Sequence, residues 1–353
     1  MAIRIMIMAG GTGGHVFPAL AVAEYLRDAG HYVSWLGTRK GIEARVVPEA
    51  GFDIDWLSVS GLRGKGLLSL LLAPFMLIKA CSQASTIIRK RQPDVVLGLG
   101  GFASGPGGVM SKFHGKPLVI HEQNRVPGTT NRLLKNIAQR VLEAFPNSFA
   151  KNSQAEFTGN PVRKELLSET HERQNTAANV LVVGGSLGAS ILNQVVPQAL
   201  KDLQQELNIN VIHQAGKVTI GTATAAYETM DVKADIRPFI DDMKQVYQWA
   251  DIVICRAGAM TISELAVMGL PSILIPLPHA IDDHQTKNAQ YLSDDGAAVL
   301  IPQSSLTPQR LTSAIKELLG NMESLRAMGA KARALAKPEA TELVANACLE
   351  VAL

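Results

Sequence analysis

Cysteine is scarce: three in 353 residues, at Cys81, Cys255 and Cys348, with no even pairing and no metal-ligand spacing. That excludes a disulfide framework and a zinc module, and fits a reduced, cytosolic compartment. Charged residues are only 18% of the chain against 47% hydrophobic ones, so a globular protein leaning apolar is expected. No apolar run reaches the ~20 residues of a spanning helix. The most apolar stretch, "GLLSLLLAPFMLIKA" at 66–80, is interrupted by Pro74 and ends at Lys79-Ala80. The amino terminus enters a strand-like run without the basic-then-apolar order of a signal peptide, so none is expected. Neither "GGTGGHVFP" nor "GGSLGASIL" has the Lys-Ser/Thr that a P-loop needs. Nor does an acidic residue close the second strand run, "YVSWLG", which continues into Thr38, Arg39 and Lys40. NAD is therefore disfavoured, while NADP could still use Arg39 or Lys40.

What is there alternates. The length predicts two domains. Apolar β-rich runs ("IRIMIM", "YVSWLG", "DVVLGL", "PLVIHE", "NVLVVGG", "INVIHQ", "DIVICR", "PSILIP") are separated by amphipathic stretches such as Pro18–Ala29. This is the pattern of parallel sheets with crossover helices, an α/β chain. Strand–glycines–helix occurs at "MIMAGGTGGH" and again at "VLVVGGSLGAS", which predicts two Rossmann-like domains. The division is placed at 1–162 and 163–338, with Pro161 in "TGNPVRKE" as hinge and "SETHERQNTAAN" (168–179) as a loop. The last segment is helical in pattern; a helix at about 339–353 packing back onto the first domain is one outcome, which the sequence does not decide. Charge is divided too: residues 1–162 carry 18 Lys+Arg against 10 Asp+Glu, and the remainder 16 against 21. The basic half suggests an anionic partner, although chance and solubility would also produce such a split.

Two glycine clusters in the basic half, "GGTGG" (10–14) and "GLGGFASGPGG" (98–108), follow strand runs, and "HEQN" (121–124) ends a third. Any one cluster is explained by a tight turn. Together they predict a crevice at strand C-termini whose N–H groups suit a diphosphate. His15, just inside the helix after the first cluster, is usually a structural residue type; beside a phosphate cradle it is a candidate base. The positive helix end favours a neutral imidazole that can accept a proton. In the second half, "CRAGAMTISELAVMGLPSILIP" (255–276) places Thr261, Ser263 and Glu264 near a helix start. Glu264 can accept both hydrogen bonds of a ribose diol; Gln285 and Asn288, after Asp282-Asp283-His284, suit sugar hydroxyls. Capping and a solvated loop are the plainer readings of each taken singly. Asp53-Ile-Asp55 is the only Asp-x-Asp, in a strand-like segment far from these motifs, and is read as a decoy for a metal site.

"GGTGGHVFPALAVA", "GLRGKG", "GGFASGPGG", "HEQN", "GNPVR", "GGSLGA", "RAGAMTISELAVMGLPSILIP" and "DDHQTKNA" together resemble the MurG family of GT-B glycosyltransferases, over Met8 to Ala289 and in overall length. The resemblance implies two Rossmann-like doubly wound domains facing a central cleft. It implies transfer of N-acetylglucosamine from UDP-GlcNAc onto lipid I, an undecaprenyl-linked acceptor, in peptidoglycan synthesis. It places donor contacts on Thr12, Gly13, Gly14, Asn124, Arg163, Ser186, Ile240, Ala259, Met260, Thr261, Ile262, Ser263, Glu264 and Gln285. Among these, Ile240 would offer its backbone amide and carbonyl to uracil, and Arg163 would supply a fixed cation at the domain seam. The acceptor diphosphate would lie along Gly10, Gly11, Gly101, Ser104 and Gly105. His15 is the expected base, with Glu122 its competitor, for an inverting in-line displacement. No cofactor, no metal and no nucleic acid is expected; contacts with other cell-wall synthesis proteins are conceivable.

A lipid-linked acceptor favours peripheral attachment to the anionic cytoplasmic face of the plasma (inner) membrane. Residues 66–80, flanked by Arg63, Lys65, Lys79, Arg89, Lys90 and Arg91, would supply it, against the alternative of a buried core helix. Two other classes stay open at this stage, an NADP-dependent oxidoreductase and a non-catalytic nucleotide-sugar-binding or scaffold protein, as does transfer to a different lipid acceptor.

Overall fold

The structure, a computed structural model, describes residues 1–58, 67–167, 177–185, 187–278 and 280–353, without the side chains of 67–72, 152 and 281. The "GLRGKG" segment with Arg63 and Lys65, most of the 168–179 loop, Ser186 and the side chains of Leu70–Leu72 lie outside the described residues. The chain divides into two compact units, Met1–Arg163 with Lys337–Leu353, and Lys164–Ala336.

The first unit contains β1 (Arg4–Met8), α1 (Gly13–Asp28), β2 (Tyr32–Thr38), α2 (Glu43–Glu49), β3 (Asp53–Leu57), α3 (Leu67–Arg91), β4 (Val95–Gly98), α4 (Ser104–Phe113), β5 (Leu118–Glu122), α5 (Thr129–Leu134), β6 (Arg140–Glu143) and β7 (Glu156–Phe157). All pairings among these strands are parallel, in the order β3-β2-β1-β4-β5-β6-β7. Successive side chains of a strand point to opposite faces. Ile5 and Ile7 accordingly join the core beneath α1, and Met6 and Met8 the core beneath α3 and α4. Each such side chain, fully buried, stabilises the unit by about 1.5–3 kcal/mol.

The second unit runs β8 (Ala178–Val183), α6 (Ser190–Glu206), β9 (Ile209–Gln214), α7 (Ile220–Met230), β10 (Asp235–Arg237), α8 (Met243–Trp249), β11 (Ile252–Cys255), α9 (Ala259–Met268), β12 (Ser272–Leu274), α10 (His284–Ser293), β13 (Val299–Leu300), α11 (Pro308–Gly320) and α12 (Met322–Ala334). Its parallel sheet has the order β10-β9-β8-β11-β12-β13. The final helix, α13 (Ala340–Ala352), belongs to the first unit and packs on α1. That contact corrects the amphipathic reading of Pro18–Ala29. With the sheet beneath and α13 alongside, α1 buries Val16 and every residue from Pro18 to Ala23.

The strand orders matter for function. In each sheet the direction of winding reverses beside the first strand, between β1 and β4 and between β8 and β11. Parallel α/β sheets open a ligand crevice outside the strand C-termini at that reversal.

Candidate functional site

In the first unit the reversal brings together the loops after β1, β4 and β5. The glycine clusters touch backbone to backbone: a Cβ on Gly101, whose φ is +82°, would lie 2.3 Å from the Gly10 carbonyl oxygen. His15, in the first turn of α1, lies against Gly100, whose added Cβ would come 3.0 Å from the imidazole. The Nδ1 of His15 is 2.7 Å from Oε1 of Gln123. Thr12 caps α1 without using its side chain, which leaves the Gly13 and Gly14 N–H groups at an open helix start. Arg163 sits with its guanidinium 5.9 Å from the Phe17 ring centroid.

Several residues assigned from sequence have other work here. Glu122 is buried, and its carboxylate accepts from Asn124 N (3.0 Å), Asn124 Nδ2 (3.2 Å), Gly128 N (3.0 Å) and Asn131 Nδ2 (2.9 Å). A carboxylate so engaged holds the 122–131 loop together, with both oxygens committed to protein donors, which counts against it as the base. Ser104 is fully buried and joins Met8 O (2.8 Å) and Gly100 O (2.7 Å), so it locks the two loops instead of facing a diphosphate. Gly11 N–H donates to Glu43 Oε2 (2.9 Å) and is likewise committed. Glu43, which sequence reasoning passed over, is wholly buried and also accepts from Thr38 N (3.0 Å) and Oγ1 (2.7 Å). Its only sequence signal is an acidic residue amid glycines, because Gly10 and Gly41 leave no room for a Cβ beside it. Gly10, Gly101 and Gly105 remain at the loop ends. Asp53 and Asp55 both pair with Arg91, at 3.0 and 2.6 Å, which takes this Asp-x-Asp away from any ligand and Arg91 away from the proposed membrane rim.

In the second unit the reversal gathers the loop after β8 and the start of α9. Gly258 precedes α9 without a side-chain cap, so Ala259, Met260 and Thr261 carry the open N–H groups of the first turn. Ile262 is different: its side chain is fully buried and its N–H already bonds Gly258 O (3.0 Å), so it offers a ligand little. Ser263 donates its hydroxyl to Ala259 O (3.1 Å). Glu264 is nearly buried, and Oε2 accepts from the Tyr247 hydroxyl at 3.0 Å. Tyr247, on α8, was not found from sequence; seventeen residues of separation hide the pair. Ile240 N–H donates to Gln214 Oε1 (3.1 Å), so of the two backbone groups expected to meet uracil the amide is already taken. Gln285 accepts from Leu277 N–H at 2.9 Å through Oε1, and Asn288 is buried with Nδ2 on Ala257 O. Cys255 ends β11 with its thiol pushed up to about 12, by burial first and the Glu264 charge second, which keeps it unreactive.

A family model for the glycosyltransferase family 28 N-terminal domain matches residues 5–143, and one for the C-terminal domain of the same family matches 179–344. The chain belongs to glycosyltransferase family 28. This family-28 chain is 57% identical over 353 residues to the UDP-N-acetylglucosamine--N-acetylmuramyl-(pentapeptide) pyrophosphoryl-undecaprenol N-acetylglucosamine transferase of Methylococcus capsulatus, covering 100% of the chain and 99% of that protein. It is 54% identical to the protein of the same description from Ectopseudomonas mendocina, covering 99% and 98%. Among solved structures, Acinetobacter baumannii MurG matches with a TM-score of 0.85 at 40% identity over 99% of each chain. The fold is GT-B, and the chain is a glycosyltransferase; the oxidoreductase and non-catalytic alternatives fall with that membership.

Proposed function

We propose that this chain transfers N-acetylglucosamine from UDP-GlcNAc to the C4 hydroxyl of the N-acetylmuramyl unit of lipid I, inverting the anomeric carbon to give the β-1,4 link of lipid II. The observation that carries the reading is end-to-end identity of 57% and 54% to relatives whose names contain this sugar, this nucleotide and this pyrophosphoryl-undecaprenol acceptor. On this reading the second unit grips the donor. Glu264, oriented by Tyr247, takes the ribose diol, and the first N–H groups of α9 with the Ser186 loop take the diphosphate. The Ile240 carbonyl meets the uracil edge, and the Gln285 amide nitrogen a sugar hydroxyl. In the first unit, the N–H groups around Gly10, Gly101 and Gly105 suit the acceptor's pyrophosphate.

In the chemical step His15 Nε2 removes the proton from the C4 hydroxyl. The new O4–C1 bond forms as the bond from C1 to the UDP oxygen breaks. Base assistance contributes ~10²–10⁴ in rate. The charge developing on UDP is met by the α9 N-terminus.

Peripheral attachment to the cytoplasmic leaflet rests on α3 and its neighbour α4. Phe75, Leu77 and Ile78 are exposed on α3 beside Lys79; Phe102, just before α4, and Val109 and Phe113 on it are exposed near Lys112 and Lys116. These exposed side chains support the peripheral reading, while Ala80, Ala84 and Ile88 on the other face of α3 are buried in its unit. Among the described residues no helix is long and apolar enough to cross a membrane. The decisive assay gives the purified protein UDP-GlcNAc and a short-chain lipid I analogue; the expected result is disaccharide product with one UDP released per transfer. UDP release without disaccharide, or no reaction, overturns the proposal.

A further inference from the structure

His15 is one end of a chain of hydrogen bonds whose other end is a backbone carbonyl. The Gly159 carbonyl oxygen lies 2.9 Å from His121 Nε2. A carbonyl only accepts, so His121 carries its proton on Nε2 and presents a lone pair at Nδ1. Gln123 Nε2 fits that demand, with His121 Nδ1 at 3.0 Å and the His121 carbonyl oxygen at 2.9 Å. Two acceptors facing one end of the amide fix its orientation, so Oε1 must point the other way, to His15 Nδ1 at 2.7 Å. An amide oxygen cannot donate. The His15 proton therefore sits on Nδ1, and the lone pair on Nε2.

Beyond the half-buried His15, the members of this chain are buried and braced. His121 is completely buried and Gln123 nearly so. Asn131 Nδ2 holds the His121 carbonyl (3.0 Å) and Asn160 Nδ2 the Gln123 carbonyl (3.0 Å). Burial, the larger influence, lowers the His121 pKa to about 4, so near neutrality its ring keeps the Nδ1 lone pair. Gly159 presents its carbonyl from φ +82°, and a Cβ there would meet the Lys337 side chain at 2.3 Å, so only glycine can hold the anchor.

We propose that Gln123 is the positioning residue of the transfer step: it locks His15 in the Nδ1–H tautomer, leaving Nε2 as the basic atom, through a relay anchored on the Gly159 carbonyl. This rests on His15 being the base. The second ring nitrogen's hydrogen bond sets the tautomer of a histidine, and a base held in the wrong tautomer has no lone pair to offer.

The test labels histidine with ¹⁵N and reads the two ring nitrogens of His15 by long-range ¹H–¹⁵N correlation, with the signal assigned by its loss in His15→Asn. The expected wild-type pattern is a protonated Nδ1 and an unprotonated Nε2. In Gln123→Met the lock is gone: Nε2 becomes protonated in a large share of molecules, and kcat falls about tenfold or more, bounded by the ~10²–10⁴ that base catalysis supplies. KM for both substrates stays within about twofold, because the change touches only the group acting in the transition state. A wild-type Nε2–H tautomer overturns the proposal. So does an unchanged tautomer in Gln123→Met, or a changed tautomer with unchanged kcat. If Gln123→Met does not fold, the wild-type spectrum still decides the tautomer and His121→Phe, which removes the anchor, takes its place in the kinetics. Near-normal turnover in His15→Ala beside an Nδ1–H wild type would defeat the base reading alone.

Discussion

Three carboxylates show how partners decide what a residue can do. Glu122 and Glu43 accept several protein donors each and are structural pins, although the first stands in a motif that reads as catalytic. Glu264 accepts from the Tyr247 hydroxyl and lies beside the open start of α9. A hydrogen bond to a charged group is worth about 1.5–3 kcal/mol. Tyr247→Phe is therefore expected to raise the KM for UDP-GlcNAc by roughly tenfold or more, with kcat little changed; steady-state kinetics with varied donor would show it. A kcat loss at constant KM would remove Glu264 from ground-state donor binding. None of these partnerships was legible in the sequence. Gly11 and Glu43 are 32 residues apart, and His15 and Gln123 108 apart, so only folding brings them within reach.

At the scale of elements, the eight apolar runs named from sequence all became strands, because a parallel strand buried on both faces needs a continuous apolar run. The strands passed over are β6, β7, β10 and β13, of two to four residues each. So short a segment has no period to read, and β6 and β7 mix in charges that pair: Arg140 bonds Glu156 at 2.5 Å and Glu350 of α13 at 2.6 Å. Helix α3 carries the membrane prediction. Phe75 and Ile78 are 70% and 66% exposed on a helix that has its own unit to pack on, which leaves them for a lipid surface. Phe75→Ser with Ile78→Ser should lower binding to vesicles containing anionic lipid by about tenfold or more, since each side chain is worth about 1.5–3 kcal/mol on burial. Flotation that the pair leaves unchanged, or that does not respond to anionic lipid, refutes the attachment site.

Across the whole molecule, each unit encloses one deeply buried histidine among the described residues. Burial lowers the pKa of His121 to about 4 and that of His213 to about 3. In the unfolded chain both titrate near 6.5. Between those values the unfolded state binds the extra proton, so stability is full above pH 6.5 and is lost as the pH falls toward 4, at about 1.4 kcal/mol per pH unit per histidine. Urea unfolding at pH 7 and pH 5 should show the midpoints of both units moving to lower urea. His213→Gln should blunt the shift in the second unit only. Equal midpoints at the two pH values would contradict the burial of these rings as neutral groups.

By itself the sequence determined the α/β class, the repeated strand–glycine–helix openings and the family, because apolar period, glycine clusters and motif order are properties of neighbours along the chain. The tertiary structure alone decided which polar groups are occupied. It gave Glu122, Ser104 and the Gly11 amide to the scaffold and set Tyr247 on Glu264. It also put α13 over α1 and joined His15 through Gln123 and His121 to Gly159. A hydrogen bond is settled by a few tenths of an ångström between residues that the chain keeps far apart, and only the packed fold fixes such distances.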